Sequence, residues 1–163
     1  MHSILLNPYP LQLNNEYSYE FVTDQEIRYS VYFLPSGNIF EQYPNVANSI
    51  YWFTIDAKQG DADASINDER IGLTVFEVFK VFFANIENVA IYVCDSLDNR
   101  HQARHRKFSL WFWRYNDGSI LKEDAKSIAG DLVMYNSILV HRKNPRLPEI
   151  INAFKDLNEE MNK

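Results

Sequence analysis

Six apolar residues, Val89-Ala-Ile-Tyr-Val-Cys94, stop abruptly at Asp95-Ser-Leu-Asp98 and give way to a cationic, aromatic stretch from Arg100 to Phe112. So short an apolar run, bounded by turn residues, reads as a buried strand that leaves a sheet at the acidic turn and feeds a helix. In open α/β sheets, turns of this kind are where ligands bind. The passage therefore constrains the architecture and marks the place of a candidate site.

The rest of the chain supplies the sheet around that strand. At 163 residues and 46% hydrophobic content, residues 1–163 make one ordinary domain with ample material for a core. Residues 1–15, with Pro8, Pro10 and several asparagines, show no period and are expected to form an irregular arm. Alternation from Tyr17 to Val22 and from Ile27 to Leu34, around the polar Thr23–Glu26, predicts an antiparallel hairpin. A third strand is expected from Ser49 to Ala57, with Tyr51, Phe53 and Ile55 on one face.

Helical spacing then takes over. Ile71, Val75, Val78, Phe79 and Phe82 form the stripe of a core-facing helix capped by Asp68. A second helix follows the apolar strand over residues 99–115 and ends at Asn116-Asp-Gly118. Strands at Ser119–Ser127 and Leu132–His141 flank the hairpin turn Ala129-Gly-Asp131, and Ile150, Ile151, Phe154, Leu157 and Met161 mark a last amphipathic helix over 146–161. The order β-β-β-α-β-α-β-β-α predicts an α+β (mixed α/β) domain, with a mostly antiparallel sheet and helices on both faces.

A net charge of -6 argues against a surface that tracks nucleic acid or an anionic membrane throughout, although a local basic patch is compatible with it. No apolar run reaches the roughly 20 residues of a membrane span, and the first residues do not resemble a signal peptide. The single cysteine, Cys94, suits a reducing compartment, so a cytoplasmic location is expected.

On the second helix, Arg104 falls in line with the apolar stripe of Phe108, Trp111, Phe112 and Tyr115, beside Arg100 and Lys107. An inward arginine needs a partner, and Asp95 and Asp98 at the strand end are the natural ones. One reading is an internal Arg-Asp lock. The other is a cradle for phosphate or carboxylate built from Ser96, Arg100, Arg104 and Lys107 at the positive end of the helix, supported by Cys94, Asp95, Asp98, Phe108 and Trp111.

Other candidates carry a blander expectation beside the functional one. Cys94 would be a nucleophile if His101, His105 or His141 approached it, but a cysteine ending an apolar strand is ordinarily a small core residue. His101 and His105 have the spacing of a metal-binding pair, yet no HExxH or CxxC accompanies them, and a solvated helical face is expected, with no metal. Asp61-x-Asp63-x-Ser65 opens like a calcium loop but lacks its glycine and closing glutamate. Trp113, with Arg106 and Leu110, is either a partner surface or a seat for the last helix, the latter being the expectation.

Two resemblances rest on these residues. The element order over residues 17–142 is similar to the core of the GNAT acyltransferases. In that family a Gln/Arg-x-x-Gly-x-Gly/Ala turn at a helix start wraps the pyrophosphate of coenzyme A. Here the matching stretch is Glu69-Arg-Ile-Gly72-Leu-Thr74, in which Gly72 fits and Glu69 and Thr74 depart. The family's Asn-x-x-Ala and Gly-Phe helix is echoed by Asn99, Ala103 and Phe108 at shifted spacing, without its acid tyrosine. The resemblance implies a GNAT-like protein that binds acyl-CoA or another phosphorylated small molecule, with Gly72 at the phosphate and acyl transfer in doubt. More specifically, Tyr92-x-Cys-Asp-Ser-x-Asp-x-Arg100-x-x-x-Arg104-x-x-x-Phe108-x-x-Trp111-Phe112 resembles the signature of an uncharacterised bacterial family, a domain of unknown function. The alternative is a non-enzymatic module whose Arg100/Arg104/Lys107/Trp111 stripe holds nucleic acid or an acidic protein partner.

Overall fold

Strand β5 (Val89–Asp95) lies between neighbours of opposite sense, running parallel to β4 (Ile50–Gln59) and antiparallel to β7 (Leu132–His141). The computed structural model describes residues 5–59, 68–95 and 99–162. Its seven-stranded sheet has the order β1-β2-β3-β4-β5-β7-β6, in which β4–β5 is the single parallel contact among the described strands. The fold is a mixed α+β single domain, as the sequence pattern implied.

Both faces of β5 are covered, which is why its sequence does not alternate. Val89, Ile91 and Val93 join Ile138 and Val140 beneath α4 (Leu147–Met161), while Ala90 and Tyr92 join the aromatic core beneath α2 (Glu69–Phe82) and α3 (His101–Tyr115). That second core is dense in rings. Phe33 of β3 (Arg28–Pro35) stacks on Phe82 with centroids 3.8 Å apart, and Phe108 lies 4.5 Å from Tyr92 and 6.0 Å from Phe53. Phe108, 1% exposed, is the one fully buried residue of α3, so it anchors that helix to the sheet.

The connections follow local chemistry. Asp68 caps α2 by accepting from the Arg70 amide, and its extended backbone is that of an N-cap. Gly130, at φ +60, opens a two-residue turn between β6 (Ile120–Ala129) and β7, the type II′ arrangement that suits strand twist. Asn99 takes a left-handed φ of 58 immediately before α3, a conformation that asparagine tolerates.

Three features differ from the expectation. The first fifteen residues are not wholly irregular: β1 (Gln12–Asn15) pairs with β2 (Ser18–Val22) as an exposed edge strand, and Tyr9 is buried. Gln-Leu-Asn-Asn carries no alternation because neither face of it enters the core. A 3-10 turn (Gly37–Phe40) and α1 (Pro44–Ala47) precede β4, too short to show a period; the Tyr43 hydroxyl beside α1 donates to Asp156 of α4. Finally, α4 packs on β6 and β7, on the opposite sheet face from α3, so it cannot cover Trp113.

Replacing Phe108 by alanine is expected to cost about 3–5 kcal/mol in denaturant unfolding, with amide exchange accelerated first in α3 because that helix has no second buried anchor.

Candidate functional site

Pairing between β4 and β5 covers only Ile50↔Val89, Tyr51↔Ala90 and Trp52↔Ile91, although β4 runs on to Gln59 and β5 to Asp95. The two parallel strands therefore part company at their carboxyl ends, where open sheets admit ligands. Beyond this parting stand the N-termini of α2 and α3, whose unpaired amides and dipoles favour negative charge.

The start of α2 is heavily committed to internal contacts. Tyr9 donates its hydroxyl to Asp68 Oδ2 at 2.6 Å, and its amide donates to Thr74 Oγ1 at 2.8 Å. The Arg70 guanidinium lies 3.8 Å over the Tyr9 ring, donates from Nε to the Asn7 carbonyl and reaches Asp24 at 3.0 Å. Burial, then the bond to Asp68, raises the Tyr9 phenol above its ordinary value, so it stays a donor. Gly72 faces Trp111: a Cβ there would stand 2.4 Å from the indole Cδ1. The missing side chain thus permits close approach of α2 and α3, a packing role that the structure places where the resemblance put a phosphate contact.

The start of α3 has the opposite character. Its N-cap is Arg100, which makes no capping bond, and no acidic residue occupies its first turn, so cations crowd the positive end of the dipole. One turn further in, Arg104 is half-buried and its charge reaches the Tyr92 hydroxyl. Burial and proximity to Cys94 nonetheless push that phenol well above its usual range. Lys107 lies 5.4 Å over the Trp111 ring. Burial, followed by repulsion from Arg100, lowers its proton affinity, and Asp68 only partly offsets this. Gly72 and Trp111 thus meet between α2 and α3, with Lys107 over the indole and Arg100 near enough to Lys107 to weaken its hold on the proton. Ser96, Asp98 and the side chain of Asp95, to which the sequence assigned part of the cradle and the lock, lie outside the described residues, as does the Asp61–Ser65 stretch.

His101 and His105 are not on a solvated face. Their rings stack on Tyr135 of β7 at 5.6 and 4.7 Å, and the Nδ1 of each is buried without a hydrogen-bond partner. Burial holds the His105 imidazole below the ordinary histidine range, against the opposing pull of Asp124. No cluster of three or more candidate metal-ligating side chains occurs among the described residues. Cys94 is 1% exposed on the α3 face. His141 pairs with Ile120 near the far end of β7, about 20 Å along the strand from the residue opposite Cys94.

Sequence reasoning missed two contributors. Tyr9 sits in a segment without a period, so nothing local signals that it reaches Asp68. Lys122 alternates with charged neighbours and reads as solvated, yet its side chain is 6% exposed. Its ammonium is held by Asp124 at 2.6 Å and Ser109 of α3 at 3.2 Å. Outside the site, Trp113 is 82% exposed and Leu110 50%, so the expected burial of Trp113 under the last helix does not occur.

Fold and site together define a mixed α+β domain with a cationic helix start beside a parted parallel strand pair. The chain belongs to a family of unknown function, DUF6169, whose model matches residues 67–156, from the start of α2 into α4. No curated protein and no solved structure matches it. No helix among the described residues is long and apolar enough to cross a membrane.

Gly72→Ala is expected to destabilise by about 1–3 kcal/mol through overpacking, and Trp111→Leu in the same chain should recover part of the loss in a thermal melt. Because folding lowers the proton affinity of His105, its charging opposes the folded state: the penalty builds as pH falls through about 6.5 and is complete below the lowered value. The melting temperature of His105→Gln should therefore fall less steeply than that of the parent between neutral pH and pH ~5.

Proposed function

We propose that the chain binds a phosphate-bearing small molecule, of which acyl-CoA is the candidate the GNAT-like element order suggests, at the start of α3 beside the parting of β4 and β5. The observation that carries this reading is a concentration of positive charge at one helix start. Arg100 forms the N-cap of α3, Arg104 and Lys107 follow on the same helix, and no acidic residue occupies its first turn. Helix amides at such a terminus supply donors for an anion, and the Lys107 ammonium, packed over Trp111, supplies charge. The roles of Arg100, Arg104, Lys107 and Ser96 in that cradle belong to the same proposal; Gly72 serves it indirectly, by letting Trp111 set the spacing of the two helices. The proposal concerns binding and does not extend to acyl transfer.

A second reading, a module that holds an acidic protein or nucleic acid, draws support from the Trp113 surface and not from the Arg100/Arg104/Lys107/Trp111 stripe. Trp111 is packed against α2, whereas Trp113 and Leu110 are exposed beside Arg106 and Arg114 on the outer side of α3.

Lys107→Met separates a site from a structural lock. A lysine whose proton affinity is lowered by folding disfavours the folded state below its lowered value, and the penalty fades as pH rises toward about 10.4. The variant is thus expected to melt higher than the parent at pH 7, with the gap closing at alkaline pH. It should also bind acetyl-CoA roughly tenfold or more weakly by calorimetry. Acetyl-CoA binding that is absent in the parent, or equal in the two chains, defeats the reading. Salt-sensitive binding of single-stranded RNA that Trp113→Ala abolishes would favour the second.

A further inference from the structure

On the opposite face of the sheet from α3, a cavity of about 210 Å³ opens between α4 and the strands, lined by Trp52, Ile91, Val93, Met134, Leu157 and Met161 among others. Its origin is the same parting of strands. Trp52 and Ile91 are the last residues at which β4 and β5 pair with each other, and Val93, two residues further on, has a strand neighbour among the described residues only on its β7 side. The lining is aliphatic, aromatic and thioether, and its polar residues are Asn136 and Asn158.

Those amides are held in fixed orientations. Asn158 donates from Nδ2 to the Phe154 carbonyl at 2.8 Å, which turns its Oδ1 toward Ser127 and Asn136. Ser127 Oγ donates to that oxygen at 2.9 Å, and Asn136 Nδ2 donates both to it at 2.8 Å and to Ser127 Oγ at 3.1 Å. With its nitrogen committed inward, Asn136 is left with Oδ1, which accepts no side-chain hydrogen bond from the described residues. The residue is 5% exposed and forms part of the cavity wall. Asn136 Oδ1 is therefore the acceptor that this otherwise apolar wall offers to a ligand's donor.

We infer that this cavity is a binding site for a small, largely apolar molecule that carries one N–H or O–H donor, seated with the donor on Asn136 Oδ1. The volume lies below the roughly 300–1,000 Å³ of pockets for drug-sized ligands and above the about 150 Å³ that holds benzene in an engineered cavity, which sets the ligand at one or two fused rings or a short branched chain. A few placed polar groups in an apolar wall are how such sites fix orientation. This site is separate from the cationic cradle, since Val93 and Asn136 point to the α4 face and Tyr92 to the α3 face.

The probes are indole, which has the donor, and 1-methylindole, which lacks it. In the full chain, indole is expected to shift the Met134 and Met161 methyl resonances and the Trp52 indole N–H saturably, and to bind about fivefold tighter than 1-methylindole. Asn136→Leu should erase that preference. Because this variant disturbs a buried network, Leu157→Phe provides a second test: it fills the cavity without touching the amides, and should abolish the shifts at an unchanged or raised melting temperature. Absence of saturable shifts in the parent, or shifts that persist unaltered in Leu157→Phe, overturns the site. Equal affinity for the two probes in the parent overturns the role of Asn136.

Discussion

Burial of β5 on both faces is the constraint from which the remaining architecture follows. A strand whose even and odd residues are both apolar needs a helix layer above and below it, and the two layers here are built from different parts of the chain: α2 and α3 on one side, α4 with the 3-10 turn and α1 on the other. The same strand needs two hydrogen-bonded neighbours. It takes β7 along its whole length and β4 only along its first half, so among the described residues its far half is partnered on one edge alone. Both the cationic helix start and the apolar cavity lie beside that half-partnered stretch, on opposite faces.

What the sequence disclosed, and what it hid, follows from the range of the interactions concerned. The stripe Ile71, Val75, Val78, Phe79, Phe82 is a periodic signal set by one helix against one core, and all five residues are buried as the spacing implied. The Asp68 cap is equally local. The Tyr9–Asp68 bond, by contrast, joins residues 59 positions apart and leaves no trace in either neighbourhood. His101 and His105 read as solvated because they are polar residues on a partly apolar helix; their burial depends on Tyr135, which a different strand brings beneath them. Trp113 stays exposed for a topological reason. An amphipathic last helix must find a seat, but a sequence does not say on which face of the sheet.

The candidate site was legible as a position more than as a set of contacts. Periodicity put Arg104 and Lys107 on the inward side of α3, and both are half-buried there. Gly72 was singled out by a motif, yet the demand it meets is steric, the thickness of an indole between two helices. A glycine required by packing and a glycine required by a phosphate leave the same letter in a sequence, and only the atom opposite the missing Cβ tells them apart.

The seam between β5 and β7 also bears on how the sheet is assembled. The β6–β7 hairpin closes through a two-residue turn and is the most local long pairing in the sheet, whereas β7 meets β5 only across the whole of α3 and β6. Closing that larger loop costs more chain entropy than closing the hairpin, so pairing within the hairpin is the easier of the two contacts to form. Until β7 pairs with it, the inner edge of β5 presents open backbone groups and an apolar sequence, the combination that invites pairing with another chain. A chain released through α3 but not yet through the hairpin therefore lacks the strand that covers the inner edge of β5, and pairing with β7 closes that edge along the whole of β5.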